Sequence, residues 1–413
     1  MHFTELALNK PILKAIFEKN YDSPTEVQKQ AIPLVLDKKD LIASAQTGTG
    51  KTAAFALPIL QLLFHQQDAT KKNKRIRALI VSPTRELAVQ IEAEFKAYGK
   101  YTNLKTAVVF GGTSIEPQKD ILKKGVDILI ATPGRLLDLR KQEFINLDKV
   151  EILVLDEADL MLDMGFIDDV LKIDRMCPED KQTLLFSATM PIKVIQLAKS
   201  ILTDPERIEI SPTAAAAGGV LQLLYYVPKP SKIELCLHLL RNEIKGNILV
   251  FRRTKNGVDK LEQTLIKNDF KVDSLHGDKS QSARQSALNK FKNGEVNILI
   301  ATDVASRGID IEDLDAVINF DLPNIPETYI HRIGRTGRAG KSGTSYSLCA
   351  ADEKKYVKEI QKLLQKPIKV VEDHLFPLDP EAKPPIHKKK KTGSKHKSGR
   401  KSAASKKNKK RWY

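Results

Sequence analysis

Residues Ala45 to Thr52 read Ala-Gln-Thr-Gly-Thr-Gly-Lys-Thr, and their flanks constrain the fold more than any other feature of the chain. An apolar run, Leu41–Ser44, leads in, and a helix-favouring run, Ala53–Leu57, leads out. Strand, glycine loop and helix in that order form the setting in which backbone N–H groups cradle phosphate at a helix N-terminus. Gly48 and Gly50 let the loop turn tightly. Lys51 can reach the β- and γ-phosphates of a nucleotide, and the Thr52 hydroxyl can hold Mg²⁺. Ala45, Gln46, Thr47 and Thr49 complete the loop, although Ala45 departs from the strict pattern, which opens on glycine.

The rest of the chain repeats this alternation. From Met1 to Glu209 the strand candidates are Asp40–Ser44, Ala78–Ser82, Thr106–Phe110, Ile128–Ala131, Ile152–Asp156 and Thr183–Ser187, with helical patterns between them. From Val220 to Phe376 they are Leu223–Val227, Asn247–Phe251, Lys271–Leu275, Val296–Ala301, Ala316–Phe320 and Thr344–Leu348. Such spacing predicts βαβ units and parallel sheets. The expected class is α/β, with one domain over 1–209 and a second over 220–376. Residues 210–219 include Ser-Pro-Thr-Ala-Ala-Ala-Ala-Gly-Gly, which reads as a flexible linker; one helical turn is the alternative. Two similar blocks on a short linker should leave a cleft between them.

Charge separates a third part. The net charge is +17, but residues 383–413 hold 14 Lys or Arg and no Asp or Glu, so the remainder is close to neutral. Residues 377–413 have too little apolar surface to offset ordering and are expected to be a disordered basic tail. No apolar run approaches the roughly 20 residues of a membrane-spanning helix. Met1–Lys10 carries Glu5 and lacks the basic and apolar regions of a secretory leader. A cytoplasmic protein with no membrane association is expected. The three cysteines, Cys177, Cys236 and Cys349, form no Cys-x-x-Cys pair, which predicts reduced thiols with no disulfide partner and no zinc site.

Asp156-Glu157-Ala158-Asp159 follows the apolar run Ile152–Leu155. Ligand groups in parallel sheets sit at the carboxyl ends of strands. Asp156 there can hold Mg²⁺ through water, and Glu157 can orient and deprotonate an attacking water. An isolated string of this kind would read as a solvated acidic turn; the upstream phosphate loop favours catalysis.

The ordered pair of motifs resembles the DEAD-box RNA helicase family, an ATP-driven group, and further motifs of that family follow from Phe3 to Arg338. Their spelling is most similar to the bacterial RhlE-like branch. The resemblance implies two RecA-like domains that grip ATP and Mg²⁺ between them. It implies that Gln28 pairs with the adenine edge, Tyr21 stacks on the base and Phe3 buttresses it. A side-chain amide offers the donor and acceptor this needs. Asn20 and Glu26 stand where the family usually has Gly and Pro. Ser187 and Thr189, with Asp159 and His331, resemble the segments that couple the nucleotide site to domain closure.

His331-Arg-Ile-Gly-Arg335-Thr-Gly-Arg338 resembles the family's arginine-finger motif. Arg335 and Arg338 lie three apart, so on one helical turn they would face the same way. Thr302 resembles an RNA contact and Asp310 a ribose contact, in a segment that also holds Asp303 and Arg307. The other RNA-contact candidates are Pro83, Thr84, Arg85, Gly111, Gly112, Thr132, Pro133, Gly134 and Arg135, then Gly277, Gln281 and Arg284, with Arg252 as a further one. Hydroxyls, glycine amides and Arg suit phosphate and sugar, which position a strand without reading its sequence. The tail should bind polyanions through counterion release, with Trp412 and Tyr413 available to stack on bases.

Three functions compete at this point: an RNA-stimulated ATPase that unwinds duplexes, an ATP-gated RNA clamp or chaperone, and a DNA helicase or translocase. The family resemblance favours the first, in ribosome assembly, RNA decay or cold adaptation, with ribosomal precursors or decay machinery as partners.

Overall fold

The structure, a computed structural model, describes residues 1–45, 48–65, 75–210, 220–306, 311, 314–337 and 343–379. The expected linker at 211–219 and the tail from 380 onward lie outside the described residues, as do Gln46, Thr47, Arg307, Asp310 and Arg338.

The first half contains β1 (Leu41–Ser44), β2 (Ala78–Val81), β3 (Thr106–Val109), β4 (Ile128–Ala131), β5 (Ile152–Leu155), β6 (Gln182–Ser187) and β7 (Glu206–Glu209). They form one parallel sheet in the order β3-β4-β2-β5-β6-β1-β7. The second half contains β8 (Val220–Tyr226), β9 (Ile248–Phe251), β10 (Val272–Leu275), β11 (Ile298–Ala301), β12 (Ala316–Asn319), β13 (Gly343–Cys349) and β14 (Lys369–Val370). Their order is β10-β11-β9-β12-β13-β8-β14, which matches the first sheet strand for strand when counted from β8. The repeated alternation in the sequence is therefore a repeated topology, two RecA-like sheets flanked by helices.

The central strands are continuous apolar runs because helices cover both faces. Ile152–Leu155 and Ile298–Ala301 are buried at every position. Each face of the first sheet has its own core: Phe55, Phe95 and Phe186 anchor one, Leu129, Leu153 and Met161 the other. The three cysteines are buried and free, and burial pushes each thiol up to about 12.

Strand order explains how distant motifs meet. β5, β6 and β1 are neighbours, with Leu155 beside Leu185 and Ser187 beside Ser44. Their carboxyl ends thus gather Asp156–Glu157, Ser187–Thr189 and the phosphate loop. β3, β4 and β2 form the other half of the same edge and carry Gly111, Thr132 and Pro83. One sheet edge is divided into two sites.

Candidate nucleotide cleft and RNA face

Between the two domains lies a cavity of about 540 Å³ whose lining includes Phe3, Tyr21, Gln28, Gly50, Lys51, Thr52, Asp156, Glu157 and Arg335. Every element of the expected nucleotide site that the structure describes converges here, except Ala45 and Thr49. Ala45 is buried behind the loop, its N–H donating to the Ser187 carbonyl at 3.0 Å.

Local structure fixes each group. Gln28 sits in the first turn of the helix Glu26–Leu36, where Thr25 is the N-cap. Its Oε1 accepts from the Thr25 N–H at 2.9 Å, and its Nε2 donates to the Gly50 carbonyl at 3.1 Å. The readings of Gln28 as a helix-start residue and as a base reader are thus compatible: an amide has four hydrogen-bonding sites, and these bonds use two. Gly50 has φ +89°, and a Cβ there would collide with Gln28 Nε2. Asn20 has φ +56°, a left-handed conformation that Asn tolerates better than most residues, which accounts for Asn in a position usually held by Gly. Glu26 occupies the first helical position, where Pro is favoured by its fixed φ and Glu by the helix dipole.

Lys51 is buried and its Nζ lies 2.8 Å from Glu157 Oε1. Burial alone would lower the ammonium's pKa, but the carboxylates of Glu157 and Asp156 outweigh it and raise it. Asp156 moves upward to about 7, first through burial and then through the neighbouring Glu157 charge. Its Oδ1 is buried without a hydrogen-bond partner. Glu157 has φ +56°, a strained conformation for this residue that turns its side chain into the cleft at the start of the helix Ala158–Asp163.

A second cavity, about 450 Å³, adjoins the first and is lined by Asp159, Thr189, His331 and Arg335 among others. Asp159 Oδ2 accepts from the Thr189 N–H at 2.9 Å and its hydroxyl at 2.8 Å. Ser187 Oγ accepts from the Asp159 N–H at 3.1 Å and donates to the Thr189 carbonyl at 2.7 Å. Burial works to raise Asp159, but the charges of Lys51 and His331 and these hydrogen bonds hold it low. His331 belongs to the second domain, so this field crosses the cleft.

The expectation of one helical turn bearing both arginine fingers needs correction. The helix Pro326–Ile333 stops before Gly334, and Arg335 lies in the turn beyond. Its carbonyl accepts from Leu314 N–H at 3.2 Å, and Thr336 forms a bridge to Leu314. A backbone pairing, not a helix, aims Arg335. Arg338 lies outside the described residues.

Sequence reasoning gave no role to Arg332, whose neighbours hold this region together. The side chain is 2% exposed. Its Nε and Nη2 donate to Asp303 Oδ1 and Oδ2 at 2.6 and 2.8 Å, and Nη1 donates to Asn319 Oδ1 and the Asp321 carbonyl at 3.1 and 2.7 Å. The guanidinium also sits 4.8 Å from the Phe251 ring centroid. The only sequence signal was an Arg inside a motif already assigned to the nucleotide.

The third cavity, about 580 Å³, gathers ten RNA-contact candidates: Pro83, Thr84, Arg85, Gly111, Thr132, Gly134 and Arg135 from the first domain, and Gly277, Gln281 and Arg284 from the second. Gly112, Pro133 and Thr302 do not line it. Pro133 is buried as the first residue of the helix Pro133–Lys141, and the Thr302 N–H donates to the Leu275 carbonyl at 3.3 Å. Arg252 is held inside its domain by Asp321 at 3.2 Å and by stacking 4.1 Å from the Phe320 ring centroid. Arg85 Nη1, Arg135 Nη1 and Arg284 Nε are buried donors without partners. A Cβ added to Gly111, Gly134 or Gly277 would meet nothing within 4 Å, so packing does not require glycine there; a closely approaching ligand would. Glu86 bridges the domains, accepting from Gln281 Nε2 at 2.7 Å and pairing with Arg284 Nη2 at 3.2 Å.

Among the described residues, no group of three or more His, Cys, Asp or Glu is arranged to hold a metal, and no helix is long and apolar enough to cross a membrane.

Comparison with known proteins agrees with this geometry. A family profile described as DEAD/DEAH box helicase matches residues 25–198, and one described as helicase conserved C-terminal domain matches residues 231–340. The chain is 44% identical over 370 residues to the DEAD-box ATP-dependent RNA helicase RhpA of Helicobacter pylori, covering 90% of this chain and 74% of that protein. It is 43% identical to the ATP-dependent RNA helicase CshA of Limosilactobacillus reuteri, covering 88% and 72%. Saccharomyces cerevisiae Dbp5 bound to RNA and ADP BeF3 superposes with a TM-score of 0.79 at 32% identity, covering 90% of this chain and 95% of that one. Mss116p bound to ssRNA and AMP-PNP gives a TM-score of 0.80 at 31% identity, covering 90% and 79%. The chain belongs to the DEAD-box ATP-dependent RNA helicase family.

Proposed function

We propose that this protein is an ATP-driven RNA helicase whose two domains, 1–209 and 220–376, close on nucleotide and RNA together. One observation carries the reading: Arg335 of the second domain lines the same cavity as Lys51, Asp156, Glu157 and Gln28 of the first. A triphosphate in that cavity is held from both sides, and its hydrolysis removes the group that bridges them.

Gln28, Tyr21 and Phe3 receive adenine. The loop Ala45–Thr52 cradles the phosphates, and Asp310 meets the ribose. A triphosphate competes with Glu157 for the Lys51 ammonium. Once Lys51 turns to the phosphates, the freed Glu157 carboxylate can take the proton of an attacking water. Arg335 and Arg338 stabilise charge developing on the transferred phosphoryl. The unpartnered Asp156 Oδ1 and the Thr52 hydroxyl fit Mg²⁺, which binds through few protein oxygens and keeps several waters. Bound there, that ion would neutralise phosphate charge. Ser187, Thr189, Asp159 and His331 carry closure between the sites.

RNA lies along the third cavity, gripped by backbone amides and by Arg85, Arg135 and Arg284, with Gly112 and Thr302 as further contacts beyond its lining. Interactions of this kind are independent of base sequence. Bending one strand there parts a short duplex. The tail from 377 onward adds sequence-independent affinity. Ribosomal precursors or RNA-decay machinery are its proposed partners, in the cytoplasm, and the motif spelling supports an RhlE-like branch.

The test is Arg335→Ala. RNA-stimulated turnover should fall by roughly 10³–10⁵, while ADP binding is retained. Wild-type turnover in this variant would remove the cleft mechanism.

A further inference from the structure

The helix Arg85–Tyr98 joins the two sites physically. Its first residues, Arg85 and Glu86, line the RNA cavity, and its later ones, Gln90, Ile91, Glu94 and Tyr98, line the nucleotide cavity. From Glu86 to Glu94 is eight residues, about 12 Å along the axis. The helix is stiff. Thr84 caps it by accepting from the Leu87 N–H at 3.3 Å, and Leu87, Ala88, Ile91, Phe95 and Tyr98 are buried along one side.

At its far end the helix touches the residue assigned to stack on the base. Glu94 Oε2 holds the Lys19 ammonium at 2.6 Å. That ammonium lies 4.7 Å from the Tyr98 ring centroid and 5.6 Å from that of Tyr21, and the two rings are 6.5 Å apart. Tyr21 is 38% exposed, so its placement depends on few neighbours. Lys19 is two residues from Tyr21, across the left-handed Asn20, so an anchored Lys19 limits where the ring can go.

We infer that Glu94 is a positioning residue for the nucleotide base, acting through Lys19 on Tyr21, and that the helix Arg85–Tyr98 makes this grip respond to RNA. The inference rests on the proposed function and deepens it. RNA that draws on Arg85, or that competes with Glu86 for Gln281 and Arg284, bears on one end of a rigid rod. The other end sets the base-stacking ring. By linkage, nucleotide binding must change RNA affinity through the same path by the same factor.

The experiment measures the Kd of ADP for the full-length protein with and without a single-stranded RNA, and inhibition by inorganic tripolyphosphate, for wild type, Glu94→Gln, Lys19→Met and the double variant. A partly exposed ion pair predicts ADP binding roughly two- to fivefold weaker in each single variant, with the double variant no worse. Tripolyphosphate inhibition should be unchanged, and the ratio of ADP Kd without and with RNA should move toward one. Unchanged ADP affinity in Glu94→Gln, equal weakening of ADP and tripolyphosphate, or an undiminished RNA effect would each overturn the inference. A wild-type ATPase that RNA does not stimulate would instead overturn the proposed function, so the two failures are distinguishable.

Discussion

Asp303→Asn tests the support beneath Arg335, the proposed arginine finger. Asp303 takes both Nε and Nη2 of a guanidinium that is almost wholly buried. Removing one member of a buried pair strands the other charge, which costs about 3–5 kcal/mol. Here Asn319 and the Asp321 carbonyl still accept from Arg332, and Asp303 itself is partly exposed, so about 2–4 kcal/mol is the better figure. For a domain of this size that lowers the unfolding midpoint by roughly 5–15 °C. The sole Trp lies in the tail, so calorimetry or far-UV circular dichroism is the appropriate probe. The function suffers too, because Arg332 lies in the last turn of the helix that precedes Arg335. A displacement near 1 Å costs on the order of a hundredfold in rate, so RNA-stimulated turnover at about 20 °C should drop roughly tenfold to a hundredfold with the fold intact. Lys229→Ala serves as the control: it removes the more exposed Lys229–Asp352 pair of the same domain and should cost less than about 1 kcal/mol. Equal effects of the two substitutions on midpoint and turnover would refute the assignment of Arg332–Asp303 as the anchor.

Other outcomes follow from the geometry. Gly111→Ala and Gly277→Ala should leave the unfolding midpoint nearly unchanged, because the new Cβ has free space, yet weaken RNA binding in a fluorescence-anisotropy titration; unchanged RNA affinity would mean no ligand approaches these backbones. Glu157→Gln should retain ATP binding and lose turnover, and turnover near wild type would exclude Glu157 as the base. Since Asp156 moves upward to about 7 through burial and the Glu157 charge, and a cation needs its ionised form, turnover at limiting Mg²⁺ should fall as pH drops through neutrality; added Mg²⁺ favours the carboxylate and should shift that midpoint to lower pH. A pH midpoint indifferent to Mg²⁺ would contradict this. Removing residues 377–413 should weaken RNA binding and flatten its salt dependence by about 0.7 for each phosphate the tail had neutralised, with maximal turnover preserved.

Twelve of the fourteen strands among the described residues were legible in the sequence, most clearly the apolar runs buried at every position, such as Ala78–Val81, Ile128–Ala131 and Ile248–Phe251. The two it hid are edge strands. β7 buries only Ile208 of its four residues, and β14 is two exposed residues long, so neither leaves an apolar signature. Their pairing comes from backbone groups that any sequence supplies. The same division runs through the site. The readings of Lys51, Glu157, Gln28 and Arg335 rest on side-chain identity at fixed spacing, and these four residues line one cavity. The Arg332–Asp303 anchor and the Glu86 bridge left no such signal, since the first depends on which strand ends lie side by side and the second on how the two domains meet. Arg335 shows the limit most clearly: its spacing from Arg338 suggested a helix, but Gly334 ends the helix and the Thr336–Leu314 bridge takes over the aiming. A finger held by a backbone bridge to the Leu314 segment, and not by a continuous helix, moves with the sheet of the second domain. Under the proposed mechanism, domain closure places it without any rearrangement of its own helix, and a rigid-body motion suffices to assemble the nucleotide site.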